Sequence, residues 1–525
     1  METSIERPVG IPTTSIQDVT GVHTAWWDYV SILAGQVAFA VLAAVTTVLT
    51  ARLLGPEGYG TVALFLGMIQ LFFVAGVKWS FPAAMRYGRE ALISQGAAGR
   101  VFWAWTALVT TLLVVSSCVL LSVSRVGASI VGLNGRLPAV FIAIFAVTVL
   151  TGAIVQLLQM QGNMKAASWS PVEGRIVYLV LLTGLAWLSG SRMTPLAVIL
   201  CLGIAMVVQA AISLPRLDSS ITQPRGIDWR FTRTLTRYSL ALWLGFFAAY
   251  LCDWVDLYFL RFLQGRAEVG VYQIAFQVFL FIGSVLTGMH TLMFPVLTAW
   301  RAQGREDRVT RYLVRFVPQV TVLWGFVLLG LGIVAEPFFS LLMGPRFAIS
   351  GQVLSILLVS LTFQPIISLY NPLFFSHDGP AWNTLYGVLM AVVKIVGDIL
   401  LVPRFGAFGA AWATGASFAV FAWCALSWGN RRIGVESSTA LIAASLVAGV
   451  LAFVSGAGQV VKLALLVSAA LLLLGWTRAS GIFSSDDLSL FDHVDCPPTL
   501  LSLVKRVYVT LSSAGASSRG HDGEC

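Results

Sequence analysis

Five ionisable side chains interrupt long apolar stretches of this sequence, and they are its main candidates for chemistry. Arg175 and Lys394 are cations, whereas Asp253, Asp256 and Asp398 are acids. A charged side chain at the centre of a membrane-spanning helix costs roughly 2.5–3.5 kcal/mol on insertion scales. Residues that are retained at such a cost are candidates for binding a charged ligand or for moving an ion.

The two cations could act together on an anion. Arg175 follows Gly162, and Lys394 follows Gly379, at similar distances along the chain, so the cations occupy matching helices if the chain is duplicated. We expect them to face each other across a cavity and to bind a phosphate group of the substrate. Two other interpretations stay open. Arg175 could extend its guanidinium to the cytoplasmic rim, and Lys394 could pair with Asp398 on the same helix face.

The three acids are predicted to couple transport to an ion. Asp253 and Asp256 lie three residues apart and share a helix face. Two close carboxylates in a poorly solvated place repel each other, so the pair favours binding a proton or holding Na⁺. Asp398 is the third candidate for this ion-coupling role. The alternative places Asp256 at a wetted helix end, close to Arg261.

The composition indicates that these residues belong to a membrane protein. The 525-residue chain is 57% hydrophobic and 11% charged, with a mean hydropathy of +0.84, whereas a soluble domain carries about 25% charge. A spanning helix needs about 20 apolar residues, and the sequence supplies that many repeatedly. It therefore predicts an all-α polytopic membrane protein. The six cysteines are scattered without CxxC spacing, so neither disulfides nor a metal site is expected.

The apolar stretches predict fourteen membrane spans. They are residues 27–51, 61–82, 101–124, 138–160, 169–190, 195–215, 239–262, 271–294, 313–335, 350–371, 382–402, 407–428, 438–457 and 461–477. One set of loops holds more Lys and Arg than the opposite set, which places that set and both termini on the cytoplasmic side of a cell membrane. The net charge of +9 resides largely in these loops, so no nucleic-acid partner is expected.

An internal duplication organises the chain. The stretch Arg52-Leu-Leu-Gly-Pro-Glu-Gly-Tyr-Gly60 returns in altered form within residues 261–272, where Gly265 aligns with Gly55. The dipeptide Phe81-Pro82 returns as Phe294-Pro295, at nearly the same offset. Two echoes in the same order and at nearly one offset indicate a duplication.

The duplication predicts how the chain is divided. The expected parts are a cytoplasmic N-terminal tail (1–24), a first six-helix repeat (25–215), a cytoplasmic linker (216–237), a second six-helix repeat (238–428), two additional helices (429–478) and a cytoplasmic C-terminal tail (479–525). An even number of spans in each repeat gives both repeats the same orientation, so an axis along the membrane normal relates them.

The sequence resembles a known family over about residues 27–430. The stretch 52–60 and four later stretches, in the same order, are similar to the pattern of polysaccharide-biosynthesis flippases, members of the multidrug/oligosaccharidyl-lipid/polysaccharide exporter superfamily. The later stretches are Asp256-Leu-Tyr258 with Glu268-Val-Gly-Val-Tyr-Gln-Ile-Ala275, Phe294-Pro295, Leu341-Leu-Met-Gly-Pro-Arg-Phe347 and Val402-Pro-Arg-Phe-Gly-Ala-Phe-Gly-Ala-Ala411. The resemblance implies two bundles that face a central cavity and a lipid-linked oligosaccharide as cargo. Unlike the related lipid II flippases, the chain has no Lys or Arg inside its first span.

The function expected from these observations is that of a flippase that works by alternating access and moves a lipid-(pyro)phosphate-linked oligosaccharide for cell-surface polysaccharide synthesis. Its partners would be membrane lipids and polysaccharide-assembly proteins. No G-x-x-x-x-G-K-[ST] motif is present, so use of ATP or another cofactor is not expected. A cation-coupled multidrug exporter of the same superfamily is the main alternative. A membrane polysaccharide polymerase or ligase is disfavoured because the predicted outer loops are short, and no enzyme activity is expected.

Overall fold

A computed structural model of the chain describes residues 19–483, together with 506, 510 and 511. Short gaps fall at 123–126, 128–129, 132–136, 190–192, 219–220, 222–225, 378–379, 435–437 and 455–457. Within these residues the regular structure is helical. The predicted tails at 1–18 and 484–525 lie outside the described residues, apart from those three positions.

The chain forms a series of long helices joined by short connections. The helices are α1 (Val19–Gly76), α2 (Phe81–Gln95), α3 (Gly99–Ser122), α4 (Leu137–Met160), α5 (Met164–Ser189), α6 (Pro195–Ser213), α7 (Trp229–Leu263), α8 (Arg266–Ala302), α9 (Glu306–Arg311), α10 (Val317–Met343), α11 (Ala348–Leu361), α12 (Gln364–His377), α13 (Pro380–Phe405), α14 (Ala407–Ile433), α15 (Ser438–Val454) and α16 (Gln459–Ser480). Short 3₁₀ turns at Lys78–Ser80, Leu214–Arg216 and Pro345–Phe347 join or extend them.

The all-α polytopic prediction is confirmed, but the count of fourteen spans is not. In the described part of the chain, eleven helices are long and apolar enough to cross a membrane, or twelve if α11 and α12, bent by 41°, form one span. Two features lower the count. Most of the predicted span 27–51 and all of the predicted span 61–82 fall in one helical segment, Ala34–Gln95, which is counted once, and α15 is only 17 residues long.

Helix α1 is broken at Gly55 and turns back on itself there. Gly55 has φ 67° and ψ 178°, a conformation that interrupts the helix and that glycine adopts without a steric penalty. The Tyr59 side chain lies close to Thr47, and both line one cavity, although twelve residues of straight helix would rise about 18 Å. The segment Ala34–Gln95 would itself extend about 93 Å if straight, about three times the hydrocarbon thickness of a bilayer. The two halves of α1 therefore occupy separate passages across the membrane.

The last helix, α16, is joined to the preceding bundle by a buried ion pair. Lys462 is 2% exposed, its Nζ lies 3.5 Å from Oε1 of Glu336 on α10, and it donates a 3.1 Å hydrogen bond to Ser355 on α11. The burial of this lysine, near the start of α16, shows that the helix packs as part of the bundle.

Polar contacts join the start of α7 to the start of α3. Asp228 accepts a hydrogen bond from the Phe231 N–H and so caps the first turn of α7. The guanidinium of Arg100, at the start of α3, donates from Nε to the same carboxylate at 2.9 Å. The Phe231 N–H, followed by Arg100, lowers the pKa of Asp228 below its usual value. These contacts fix the start of α7 against α3.

Candidate functional site

Four helices of the second half meet around a cluster of buried charges. The charge cluster consists of Asp256 on α7, Tyr272 on α8, Lys394 and Asp398 on α13, and Thr414 on α14. Asp256, Lys394 and Asp398 are each 0% exposed. Charged side chains are rarely buried to this extent unless they are paired, so their partners determine what the cluster can do.

The pattern of α13 explains how its two charged residues come to lie inside. Val392, Val396 and Ile399 are exposed on one face of the helix, where they can contact lipid. Lys394 and Asp398, spaced by four residues, lie on the opposite, buried face. Helix α14 packs closely on α13 because a Cβ at Gly397 would lie only 2.8 Å from Ala413.

Lys394 is fully occupied by neighbours from other helices. Its Nζ lies 2.8 Å from Oδ2 of Asp256 and donates to Oγ1 of Thr414 at 2.6 Å. The same ammonium lies 5.7 Å from the centre of the Phe276 ring. Tyr272 donates its hydroxyl proton to Oδ2 of Asp256. The partner of Lys394 is therefore Asp256 of α7, not Asp398 of its own helix.

The carboxylate oxygens of Asp398 are the least satisfied hydrogen-bond acceptors of the charge cluster. Neither of its carboxylate oxygens has a hydrogen-bond partner within the described residues, and Oδ1 of Asp256 also has none. The two carboxyls lie within hydrogen-bonding reach of each other if one of them carries a proton. With two carboxylates and one ammonium the cluster has a net charge of −1, and one added proton makes it neutral.

Asp253 lies next to the charge cluster but is not one of its buried members, because its position on α7 is exposed. Its carboxylate interacts electrostatically with Lys394 and with Lys78. Lys78 lies in the 3₁₀ turn after α1, is exposed, and has its Nζ 6.0 Å from the Phe246 ring of α7. Lys78 is a cation inside the predicted span 61–82, so the signal that selects Arg175 could also have selected it.

Arg175 lines a cavity of about 110 Å³ between the two halves of the chain. The first half contributes Thr46, Thr47, Thr50, Tyr59, Arg175 and Tyr178, among others, and the second half contributes Trp254, Gln273 and Gln277. The Arg175 guanidinium lies 5.3 Å from the ring of Phe39 and 6.0 Å from the ring of Tyr178. No carboxylate of the described residues lies within ion-pair distance of it. This cavity therefore holds a cation that can accept an anionic ligand.

The two copies of the duplicated motif pack against each other at one end of this cavity. A Cβ at Gly60 would lie 2.0 Å from the carbonyl oxygen of Arg266, and a Cβ at Gly270 would lie 2.0 Å from the carbonyl oxygen of Pro56. The alignment of Gly55 with Gly265 also relates Gly60 to Gly270 and Pro56 to Arg266. The contact is thus reciprocal, as expected for two repeats related by a two-fold axis. We call this contact the glycine crossing.

Polar contacts around the glycine crossing join the two halves further. The Arg266 guanidinium lies 2.7 Å from Oε1 of Glu57. Arg52 donates to the carbonyl oxygens of Leu341 and Leu342 at the end of α10. These contacts link the first copy of the motif to the second copy and to the end of α10.

Comparison with known proteins identifies the family. Residues 26–300, just over half of the chain, match the family described as "Polysaccharide biosynthesis protein". The chain belongs to this family. The resemblance found in the sequence is therefore confirmed.

One relative and two solved structures are similar to this chain. The probable low-salt glycan biosynthesis flippase Agl15 of Haloferax volcanii is 21% identical over 296 residues, which cover 55% of this chain and 61% of that relative, less than two thirds of its length. The fold is similar to that of the lipid II flippase MurJ in an inward closed conformation, with a TM-score of 0.66 and 11% identity over 86% of this chain and 99% of that one. It is also similar to a multidrug resistance MATE family transporter of the MOP superfamily in an inward-facing conformation, with a TM-score of 0.63 and 17% identity over 75% and 94% of the two chains. These likenesses show the fold.

The structure of this family member brings some of the predicted residues together and separates others. Asp256, Lys394 and Asp398 form the charge cluster, and Asp253 lies next to it. Arg175 lies in the cavity between the halves, whereas the fully buried Lys394 does not line that cavity. The two cations therefore do not share one ligand site in this conformation.

Proposed function

We propose that the protein is a flippase that moves a lipid-linked oligosaccharide across the cytoplasmic membrane for cell-surface polysaccharide synthesis. The observation that carries this proposal is the Arg175 guanidinium, which lines a cavity between the two halves without a carboxylate partner among the described residues. A phosphate needs such a partner, because its own desolvation opposes entry into a low-dielectric place. Family membership and the relative named as a glycan biosynthesis flippase support the choice of cargo.

Transport in this proposal works by alternating access between the two six-helix repeats, 25–215 and 238–428. In this cycle the glycine crossing closes the cavity at the end where α1 reverses, and the positive-inside pattern of the loops supports an orientation in which that end lies away from the cytoplasm. Both termini are then cytoplasmic. Cargo leaves when the two repeats separate at the glycine crossing, while its lipid tail stays in the bilayer.

We further propose that a proton drives the cycle through Asp398 and Asp256, with Asp253 next to them on α7. The buried, unpartnered oxygens of Asp398 support this role. Lys394 already provides one cation to Asp256, so a sodium ion at the same place would be repelled by the ammonium, whereas a proton neutralises a carboxyl. In this proposal Lys394 stabilises the cluster and Arg175 alone contacts the phosphate.

The alternatives are less well supported by the geometry. A multidrug exporter of organic cations is disfavoured by Arg175, a cation that lines the cavity and has no carboxylate partner in the described part of the chain. A polymerase or ligase would need catalytic side chains next to a substrate site. In this proposal the protein is a transporter that has no enzyme activity and uses no cofactor. Polysaccharide-assembly proteins are its expected partners.

Translocation in proteoliposomes tests the proposed function. A fluorescent lipid-pyrophosphate-linked oligosaccharide is expected to cross the bilayer with the wild-type protein. Arg175→Ala should slow it by about 10- to 100-fold, as expected for the loss of a hydrogen bond to a charged group, whereas Arg175→Lys should retain part of the rate. Equal rates for wild type and Arg175→Ala would overturn the role of Arg175. Export of a cationic dye, without lipid translocation, would favour the multidrug exporter.

A pH gradient tests the coupling proposal in the same vesicles. Asp398→Asn should make the rate independent of the gradient, whereas Asp228→Asn, which changes an acid outside the bundle core, should not. A sodium gradient that drives the wild type at constant pH would contradict the assignment to a proton.

A further inference from the structure

The cavity that Arg175 lines has a second set of polar groups, which belong to the other half of the chain. Gln273 and Gln277, one turn apart on α8, contribute their side chains to the lining from the second half of the chain. We propose that this cavity is a saccharide-binding subsite, in which these two glutamines hydrogen-bond sugar hydroxyls next to the anion held by Arg175. This inference rests on the proposed function and names the part of the cargo that the cavity recognises.

Gln273 is the strongest evidence for a ligand with hydroxyl groups. Its side chain is 3% exposed, and its Oε1 has no hydrogen-bond partner among the described residues. A buried carbonyl oxygen without a donor is unfavourable, and native structures rarely leave one unmet. A sugar hydroxyl that enters the cavity supplies the missing donor.

The remaining lining suits a sugar ring as well. Tyr59, Tyr178 and Trp254 contribute aromatic side chains, which offer flat apolar surfaces together with a polar edge. Thr46 and Thr50 add hydroxyl groups. Among the residues that line the cavity, the arginine alone is charged at neutral pH, so the cavity suits a neutral ring that carries one anionic group.

The anionic group can come from two sources. It is either the phosphate that links the sugar to the lipid or the carboxylate of an acidic sugar. Both accept charge-assisted hydrogen bonds from a guanidinium, so a comparison of the two ligands must separate them.

The position of the subsite links binding to closure of the transporter. Arg175 belongs to the first repeat, and the two glutamines belong to the second, on the same helix as Gly270 of the glycine crossing and within two turns of it. A sugar phosphate that contacts both sets holds the two repeats together. Release therefore requires that the glycine crossing open.

Binding to the purified full-length protein tests the subsite without any transport step. Calorimetric titration with glucose 1-phosphate should give binding that Gln273→Leu and Gln277→Leu each weaken by about tenfold. Gln364→Leu, a matched change on α12 outside the cavity, should leave binding unchanged. Because Gln277 is only half-buried, its variant tests the proposal even if Gln273→Leu does not fold. Titration with glucuronic acid, and with glycerol 1-phosphate, shows which anion is preferred and whether the ring is needed.

Translocation assays separate this inference from the proposed function. Gln273→Leu should slow a glycosylated lipid phosphate and leave the lipid phosphate without sugar unchanged, whereas Arg175→Ala should slow both. Equal effects of Gln273→Leu on the two lipids, or no effect on either, would overturn the subsite. Wild-type protein that binds glucose 1-phosphate but translocates no lipid would refute the flippase proposal and retain the subsite. Glycerol 1-phosphate binding as tightly as glucose 1-phosphate would refute sugar recognition.

Discussion

Adding a methyl group at Gly60 is expected to force the two repeats apart. The new Cβ would lie 2.0 Å from the Arg266 carbonyl oxygen and 3.0 Å from the Gly270 nitrogen, whereas ordinary contact begins at 3.4 Å. Since both neighbours are backbone atoms, no side chain can move aside, and the helices must separate until ordinary contact is restored. The backbone at Gly60 does not have a positive φ, so this contact alone opposes the methyl group.

The expected size of the effect follows from overpacking. Inserting a methyl group into a tightly packed contact costs about 1–3 kcal/mol, and if the closed state bears that cost, the closed-to-open ratio falls by about 5- to 150-fold. A Thr46→Cys substitution in the cavity, made in protein without its native cysteines, reports this change when a membrane-impermeant maleimide is added from the outer face. Gly60→Ala and Gly270→Ala should each accelerate labelling.

A matched control makes the result decisive. Gly184 lies in α5, and a Cβ there would have nothing within 4 Å, so Gly184→Ala should leave labelling unchanged. Glu57→Gln should change labelling much less than Gly60→Ala. It removes only an ion pair in which Glu57 is 65% exposed, and such pairs contribute about 0–1 kcal/mol. Equal labelling rates for Gly60→Ala and Gly184→Ala would refute the assignment of the glycine crossing as a gate.

Three further predictions concern stability. Lys394→Met leaves two buried carboxylates without their cation and should destabilise the protein by about 3–5 kcal/mol, whereas adding Asp256→Asn should restore part of this; chemical unfolding in detergent measures both. Lys462→Met should destabilise the packing of α16 in the same way, because Glu336 loses its ammonium partner, and protease cleavage between α15 and α16 should become faster. Because the pKa of Asp228 is lowered in the folded protein, its carboxylate stabilises the fold above the unfolded pKa, and this contribution is lost as the pH falls through the lowered pKa. Asp228→Asn should therefore reduce the loss of thermal stability on acidification.

The sequence was sufficient for the fold class and the family, because both depend on properties that a single chain displays. Long apolar stretches predict spanning helices whatever their packing. The echo between residues 52–60 and 261–272 predicts a duplication, and the glycine crossing gives it a physical basis, since each glycine allows the close approach of the other copy. The count of fourteen spans stays unconfirmed, because hydropathy shows neither that α15 is short nor that the first two predicted spans continue into one helical segment.

The site was only partly predictable, because helix periodicity describes neighbours on one helix and not across helices. The spacing of Lys394 and Asp398 suggested a pair, yet the closer carboxylate belongs to Asp256 on α7. Tyr272 and Gln273 lie within the stretch 268–275 that resembles the family, but the sequence alone assigns them no role. Their contacts depend on which faces of α8 meet α7 and the cavity, and only the three-dimensional packing determines that.

One turn of α8 joins the three functional parts of the molecule. Gly270 packs against α1 in the glycine crossing, Tyr272 donates to Asp256 in the charge cluster, and Gln273 lines the cavity. Successive residues of a helix point about 100° apart, so Gly270 and Gln273, three residues apart, lie on one side of this turn, and Tyr272 points to another side. A movement of α8 relative to α7 that opens the glycine crossing would also displace Tyr272 from Asp256, and it would move Gln273 away from the first-half side of the cavity. In the proposed mechanism, a proton bound by the Asp256 and Asp398 pair weakens the attraction to Lys394, and this change links protonation to cargo contact and opening.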